Sequence, residues 1–144
     1  RDTTQTHLAR PARRTGRGVH LPGVPHSHAK YVTASSGSVI DFANDILVGS
    51  PTFGQWDSVL LDTVDRRAIY LAEGLGHAIC CLEDDSTVTY LCSATYDPMR
   101  ERAINPLDPD LALALPEGVT PVLSAKVAVA HSLSHAVARG ALPR

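Results

Sequence analysis

Aromatic side chains are scarce in this 144-residue chain, at 5%, with a single tryptophan and a single methionine. No apolar run approaches the roughly 20 residues that a bilayer span requires, and no signal-peptide core opens the sequence, so a cytoplasmic protein is expected. Charge of neither sign dominates. Thirteen Lys and Arg against fifteen Asp and Glu leave a net charge of -2, which argues against a nucleic-acid binder, whose phosphate contacts need a concentrated positive surface. Arg1, Arg10, Arg13, Arg14 and Arg17 crowd the front of the chain and read as a solvated loop. Cysteine is few and odd in number. Cys80 and Cys81 are adjacent, Cys92 stands apart, and none has a ligand-spaced partner, so buried free thiols are expected rather than a disulfide or a zinc site. The 44% hydrophobic and 19% charged residues present are those of an ordinary globular domain, long enough for one core over 1–144. Arg1 stands first and Met99 is the one methionine, so a fragment or a processed product is expected.

From Ala29 onward, short apolar segments alternate with turn residues, the pattern of an antiparallel all-β domain. Lys30 to Ala34 and Ser38 to Ala43 flank Ser35-Ser-Gly37, which reads as a hairpin turn with Gly37 at positive φ. Gln55 to Leu61 with Arg67 to Ala72, and His77 to Leu82 with Thr87 to Cys92, read as two further pairs. Tyr96 to Pro109 is punctuated by proline and reads as an extended stretch that wraps rather than pairs. Ser124 to Arg139 is rich in alanine and free of proline, which predicts one amphipathic helix with Ser124 as N-cap and Gly140 as C-terminal stop. Six or more strands and one terminal helix predict a cupin-like jelly roll, a class that often binds small molecules in its mouth.

Seven histidines offer groups poised for proton transfer near neutral pH. His20 closes Arg17-Gly-Val-His20, and His77 follows Glu73-Gly-Leu-Gly76. His26 and His28 in Pro25-His-Ser-His28 have the spacing of metal ligands on one strand face, although Pro25 suggests a loop and no glutamate follows usefully.

Taken in order, Arg17-Gly-Val-His20, Ala29-Lys30, Val39-Ile-Asp41, Asp45-Ile46, Gly49-Ser-Pro-Thr-Phe-Gly-Gln-Trp56, Glu73-Gly-Leu-Gly-His77, Tyr90, Tyr96, Pro98, Glu101-Arg102 and Asp108-Pro109 resemble the dTDP-4-dehydrorhamnose 3,5-epimerase family. The likeness runs from about Gln5 to Leu142, and its wording is similar to the branch that makes antibiotic deoxysugars. The resemblance implies a jelly-roll isomerase that inverts C3, C5 or both of a dTDP-4-keto-6-deoxyhexose, with no metal and no cofactor, and a homodimer where the family's full-length front is present. It implies His20 as general base, Lys30 beside the ketone oxygen, and Tyr90 as the donor on the opposite face. Arg17, with Gln5 and His7, would hold the nucleotide diphosphate and base, while Asp41 and His77 would orient the sugar.

The chain departs from the family in two respects. Where the family carries an aspartate paired with the base, this chain reads Ser124-Ala-Lys-Val127, and the family's first strands have no counterpart ahead of Arg1. Leu47 stands where arginine is usual, and Ala78 and Ala103 where glycine is usual. Two other functions remain open on these residues: a catalytically silent sugar-nucleotide binding module, and a metal-dependent cupin using His26 and His28.

Overall fold

The computed structural model describes residues 5–9, 16–21, 28–95, 102–117, 119, 123 and 125–144. Nine strands form among the described residues: β1 (Gln5–Ala9), β2 (Gly16–Leu21), β3 (Lys30–Ser36), β4 (Ser38–Asp45), β5 (Trp56–Asp62), β6 (Ala68–Leu71), β7 (Leu75–Cys81), β8 (Thr87–Cys92) and β9 (Arg102–Ile104). They make two antiparallel sheets, a first in the order β1-β8-β3-β6 and a second in the order β5-β4-β7-β2-β9. The nearly all-β jelly roll expected from the alternating pattern is what forms.

Burial explains why the strands differ in composition. β3 alternates between buried and exposed positions, because one face packs inward and the other meets water. Strand β7 is buried at every position but its first, since the second sheet is covered on both faces and needs apolar or small side chains throughout. Toward the first sheet it presents Val39, Leu61, Ile79 and Cys81, which pack with Val32, Ala34, Leu71 and Val88. Toward the C-terminal segment it presents Val19, Phe42, Ala78 and Cys80, which pack with Ile104, Leu111, Leu133, Ala136 and Leu142. Trp56 meets Phe42 edge-on at 5.6 Å on that outer side.

The three expected hairpins do not form. β3 and β4, β5 and β6, and β7 and β8 each sit in different sheets, so the short turns between them are corners rather than hairpin loops. Among consecutive strands of the described residues only β4 and β5 pair. A strand that alternates inward and outward carries the same pattern whether its neighbour pairs with it or crosses to the facing sheet, and this is why sequence reading joined them. Gly37 does adopt positive φ, at 67°, and a Cβ there would lie 2.5 Å from Ser86 Oγ. The buried Ser86 hydroxyl shares its one hydrogen between the carbonyls of Ser38 (3.1 Å) and Glu83 (2.9 Å), fastening the β3–β4 corner to the β7–β8 corner.

Two further expectations are corrected. The proline-rich stretch does pair, because Arg102–Ile104 forms β9 along β2, while Tyr96 to Glu101 lie outside the described residues. The single C-terminal helix is two short ones, α1 (Ala125–Ala128) and α2 (Leu133–Ala138). Between them His131 turns extended to bridge Ile104, and its carbonyl accepts from Asn105, so the helix cannot run through. Ser132 then caps α2 by accepting from the His135 amide at 3.2 Å, and the buried Asp108 accepts from the Leu133 amide at 2.5 Å. Ser124 lies outside the described residues. Gly140 ends α2 as expected, at φ 62°, with Gly140 N–H donating to Val137 and Ala141 N–H to Ala136.

Candidate functional site

The space between the sheets is apolar at one end and polar at the other. Val39, Leu61 and Cys81 of the second sheet close the first end against Ala34 and Val88. Moving along the same inward faces, β3 passes from Ala34 through Val32 to Lys30, β8 from Val88 to Tyr90 and Cys92, and β7 from Cys81 through Ile79 to His77. Lys30 and Tyr90 are half-buried where Val32 and Val88 are fully buried, so this end opens to solvent.

His20 enters from β2 through a bulge. Arg17 pairs with Ile79 and His20 with His77, so three residues of β2 span two of β7. The extra residue sets Val19 into the outer core and brings half-buried His20 beside His77. His77 and Asp41, from neighbouring strands, are joined by a bond of 2.7 Å between Nε2 and Oδ2, with side-chain exposures of 6% and 0%. A carboxylate only accepts, so Nε2 is the nitrogen that carries hydrogen. The other Asp41 oxygen, Oδ1, is buried with no hydrogen-bond partner among the described residues. Across the space, the His77 ring meets the Tyr90 ring edge-on at 5.6 Å.

The first sheet supplies the remaining positions. Gln5, Cys92 and Lys30 share one register row, and His7, Tyr90 and Val32 the next. Burial pushes the Cys92 thiol up, and the Lys30 ammonium pulls it only part of the way back. Cys92 is thus a neutral, buried neighbour of Lys30 that sequence reading treated as core; only the β1-β8-β3 register reveals its place. All three cysteines are buried free thiols, as expected. Arg17 and His7 are placed by backbone register alone, since their side chains fall outside the described set.

Other sequence candidates fall elsewhere or serve structure. His28 is half-buried just ahead of β3, and His26 lies outside the described residues. Among the described residues no group of three or more His, Cys, Asp or Glu is placed to hold a metal ion. Within the Gly49 to Trp56 segment, the hydroxyls of Ser50 (2.5 Å) and Thr52 (2.6 Å) donate to Asp45, as does the Leu47 amide at 3.0 Å. Desolvation pushes Asp45 up, yet these three donors together outweigh it and hold the carboxyl below its ordinary value. That motif therefore locks the β4–β5 loop. Val127 is buried on α1, which packs against β9, the strand on the far side of β2 from β7.

Comparison with known proteins gives one consistent picture. The family profile described as dTDP-4-dehydrorhamnose 3,5-epimerase matches residues 1–135. A dTDP-4-dehydrorhamnose 3,5-epimerase of Mycolicibacterium smegmatis is 54% identical over 142 residues, covering 99% of this chain and 70% of that protein. One of Mycobacterium tuberculosis is 55% identical over 130 residues, covering 89% of this chain and 64% of the relative. The chain thus spans about two thirds of the length of such relatives. A 3'-monoepimerase from Streptomyces bikiniensis, solved in complex with dTDP-quinovose, superposes with a TM-score of 0.94 at 42% identity, covering 98% of this chain and 71% of that one.

Proposed function

Because this chain belongs to the dTDP-4-dehydrorhamnose 3,5-epimerase family, we propose that it inverts C3, C5 or both of a dTDP-linked 4-keto-6-deoxyhexose, in the making of rhamnose or an antibiotic sugar. The observation that supports the reading is that the strand register sets His20 beside His77 and Lys30 one row from Tyr90, with the His77 and Tyr90 rings in contact between the sheets, at the polar end of the inter-sheet space. The relatives are epimerases by name, and the silent-module reading draws no support from them.

A proton on the carbon beside the C4 ketone is acidic because its electron pair can move onto the ketone oxygen. His20 takes that proton, and the C–H pair becomes the enolate. The Lys30 ammonium stabilises the new charge on oxygen. Tyr90 then donates its hydroxyl proton to the same carbon from the other side, forming the new C–H bond with inverted configuration. His20 belongs to the second sheet and Tyr90 to the first, so a sugar between the sheets would have base and acid on opposite faces. One proton leaves and one arrives without change of oxidation state, so the step requires no redox cofactor. His77, held by the buried Asp41, orients the sugar hydroxyls, while Arg17, with Gln5 and His7, takes the nucleotide, guanidinium being suited to bidentate contact with phosphate.

No helix among the described residues is long and apolar enough to cross a membrane. Three buried free thiols favour a reducing, cytoplasmic setting. A homodimer is favoured by the outer face of the first sheet, where Leu91, Tyr31 and Tyr70 share one row and stay 36%, 47% and 61% exposed.

The test is NMR of dTDP-4-keto-6-deoxyglucose with the protein in deuterated water. Deuterium should enter at C3, C5 or both, with the epimer accumulating. No incorporation at either carbon would overturn the reading.

A further inference from the structure

The bond between Asp41 and His77 does more than the sugar contact assigned above requires. It is the side-chain pair that fixes His77 from within its own sheet, and both members are almost wholly out of water. With Nε2–H committed to the carboxylate, the imidazole has one orientation about its side-chain axis in either protonation state. The ring so fixed lies edge-on to Tyr90, whose plane it meets at 77°. Tyr90 comes from the facing sheet and is half-buried, with Val32 beside it in register. The His77 ring is thus part of the wall against which the Tyr90 ring, and with it the hydroxyl, is set.

We propose that Asp41, acting through His77, is a positioning residue for Tyr90, and that it sets how often an enolate formed by His20 is reprotonated with inversion rather than from the face it left. The proposal rests on the proton-transfer reading above. Once the α C–H bond is broken, two outcomes compete in deuterated water. If the His20 imidazolium has exchanged with solvent and returns its deuteron, the carbon carries label with its original configuration. If Tyr90 delivers, the carbon carries label with inverted configuration. Proton delivery is sensitive to misplacement of about 1 Å, which can cost on the order of a hundredfold. Releasing the His77 ring should therefore change the partition between the two outcomes.

The experiment compares the wild type with Asp41→Ala and Asp41→Asn, counting inversions per labelled carbon by NMR. Asp41→Ala removes the acceptor and should lower inversions per label by about tenfold or more, whatever happens to total rate. The Asp41→Asn variant keeps an oxygen for Nε2–H and should lower the ratio less, and it carries the test if the alanine variant folds poorly. A ratio equal to wild type in both variants would overturn the proposal. A second readout needs no turnover. Incorporation of 3-fluorotyrosine labels the four tyrosines, and Tyr90→Phe identifies the resonance of interest. Asp41→Ala, or Asp41→Asn to a lesser degree, should shift or split that resonance while leaving those of Tyr31 and Tyr70 in place. An unmoved Tyr90 resonance overturns the positioning role even in a protein that exchanges normally. A moved resonance without any exchange in the wild type would instead sustain the positioning and remove the proposed reaction.

Discussion

Replacing Gly37 by alanine should destabilise the protein by about 2 to 5 kcal/mol, from two separable causes. The first is backbone conformation. Gly37 sits at φ 67°, and an L side chain in that region costs about 1 to 2 kcal/mol. The second is contact. The new Cβ would lie 2.5 Å from Ser86 Oγ and 2.9 Å from Ser86 Cα, and the latter is backbone that no rotamer change can move aside. Ser86 must then shift, weakening its bonds to the Ser38 amide (3.2 Å) and to the carbonyls of Ser38 and Glu83. At roughly 0.5 to 1.5 kcal/mol each for the accepted bond and the one shared donated bond, this contributes about 1 to 3 kcal/mol. Gly49 supplies the control, because it has φ 94° and nothing within 4 Å of its would-be Cβ. Gly49→Ala should show the backbone cost alone. Urea unfolding of the two variants reads the difference directly as a shift in midpoint at constant slope. The corner lies at the apolar end of the inter-sheet space, so exchange per folded molecule should stay at the wild-type level in Gly37→Ala. Equal costs for the two substitutions would refute the steric argument.

Three other perturbations separate the roles assigned above. Arg17→Ala should weaken dTDP binding measured by calorimetry, and the loss should shrink as salt rises because the contact is ionic; unchanged affinity would remove Arg17 from the site. Asp108→Ala removes the acceptor for the Leu133 amide at the start of α2 and should cost about 1 to 2 kcal/mol in denaturant unfolding, with loss of helix cap protection in hydrogen exchange at Leu133. Asp45 has a folded value below the ordinary 3.8, so its contribution is full above that pH and fades as pH falls through the folded value; the stability gap between wild type and Asp45→Asn should narrow below pH 3.8, and a constant gap would contradict the donor set of Ser50, Thr52 and Leu47.

The strands from Lys30 to Cys92 were legible because their alternation is written residue by residue, whereas their partners were not. Nothing in Ser35-Ser-Gly37 distinguishes a hairpin from a corner; Ser86, about fifty positions on, decides it. β1 and β2 are not legible because they are short and set among arginine, glycine and proline, and β9 because three residues carry too little pattern. The break at His131 was hidden by unbroken alanine-rich periodicity, since the bridge to Ile104 that forces it is a tertiary contact. At the site, the residue types were readable and their pairing was not. Asp41 and His77 are 36 positions apart and become neighbours only through the β4–β7 register. Likewise, the bulge that brings His20 beside His77 is invisible until β2 is laid against β7.

The two-sided burial of the second sheet gives its central strands a numerical grammar. In β4 and β7 the odd positions 39, 41, 43, 77, 79 and 81 look toward the other sheet, while the even positions 40, 42, 78 and 80 look toward the C-terminal segment. Adjacent residues on one strand thus answer to different demands. An engineer who wishes to retune stereochemistry can work at 41, 43 and 77, at the polar end of the odd set, and leave 39, 79, 81 and the even set as a fixed foundation. Conversely, random variation along either strand would split by place, changes at 41, 43 and 77 surfacing in the chemistry and changes at 39, 79, 81 and the even positions in the melting curve.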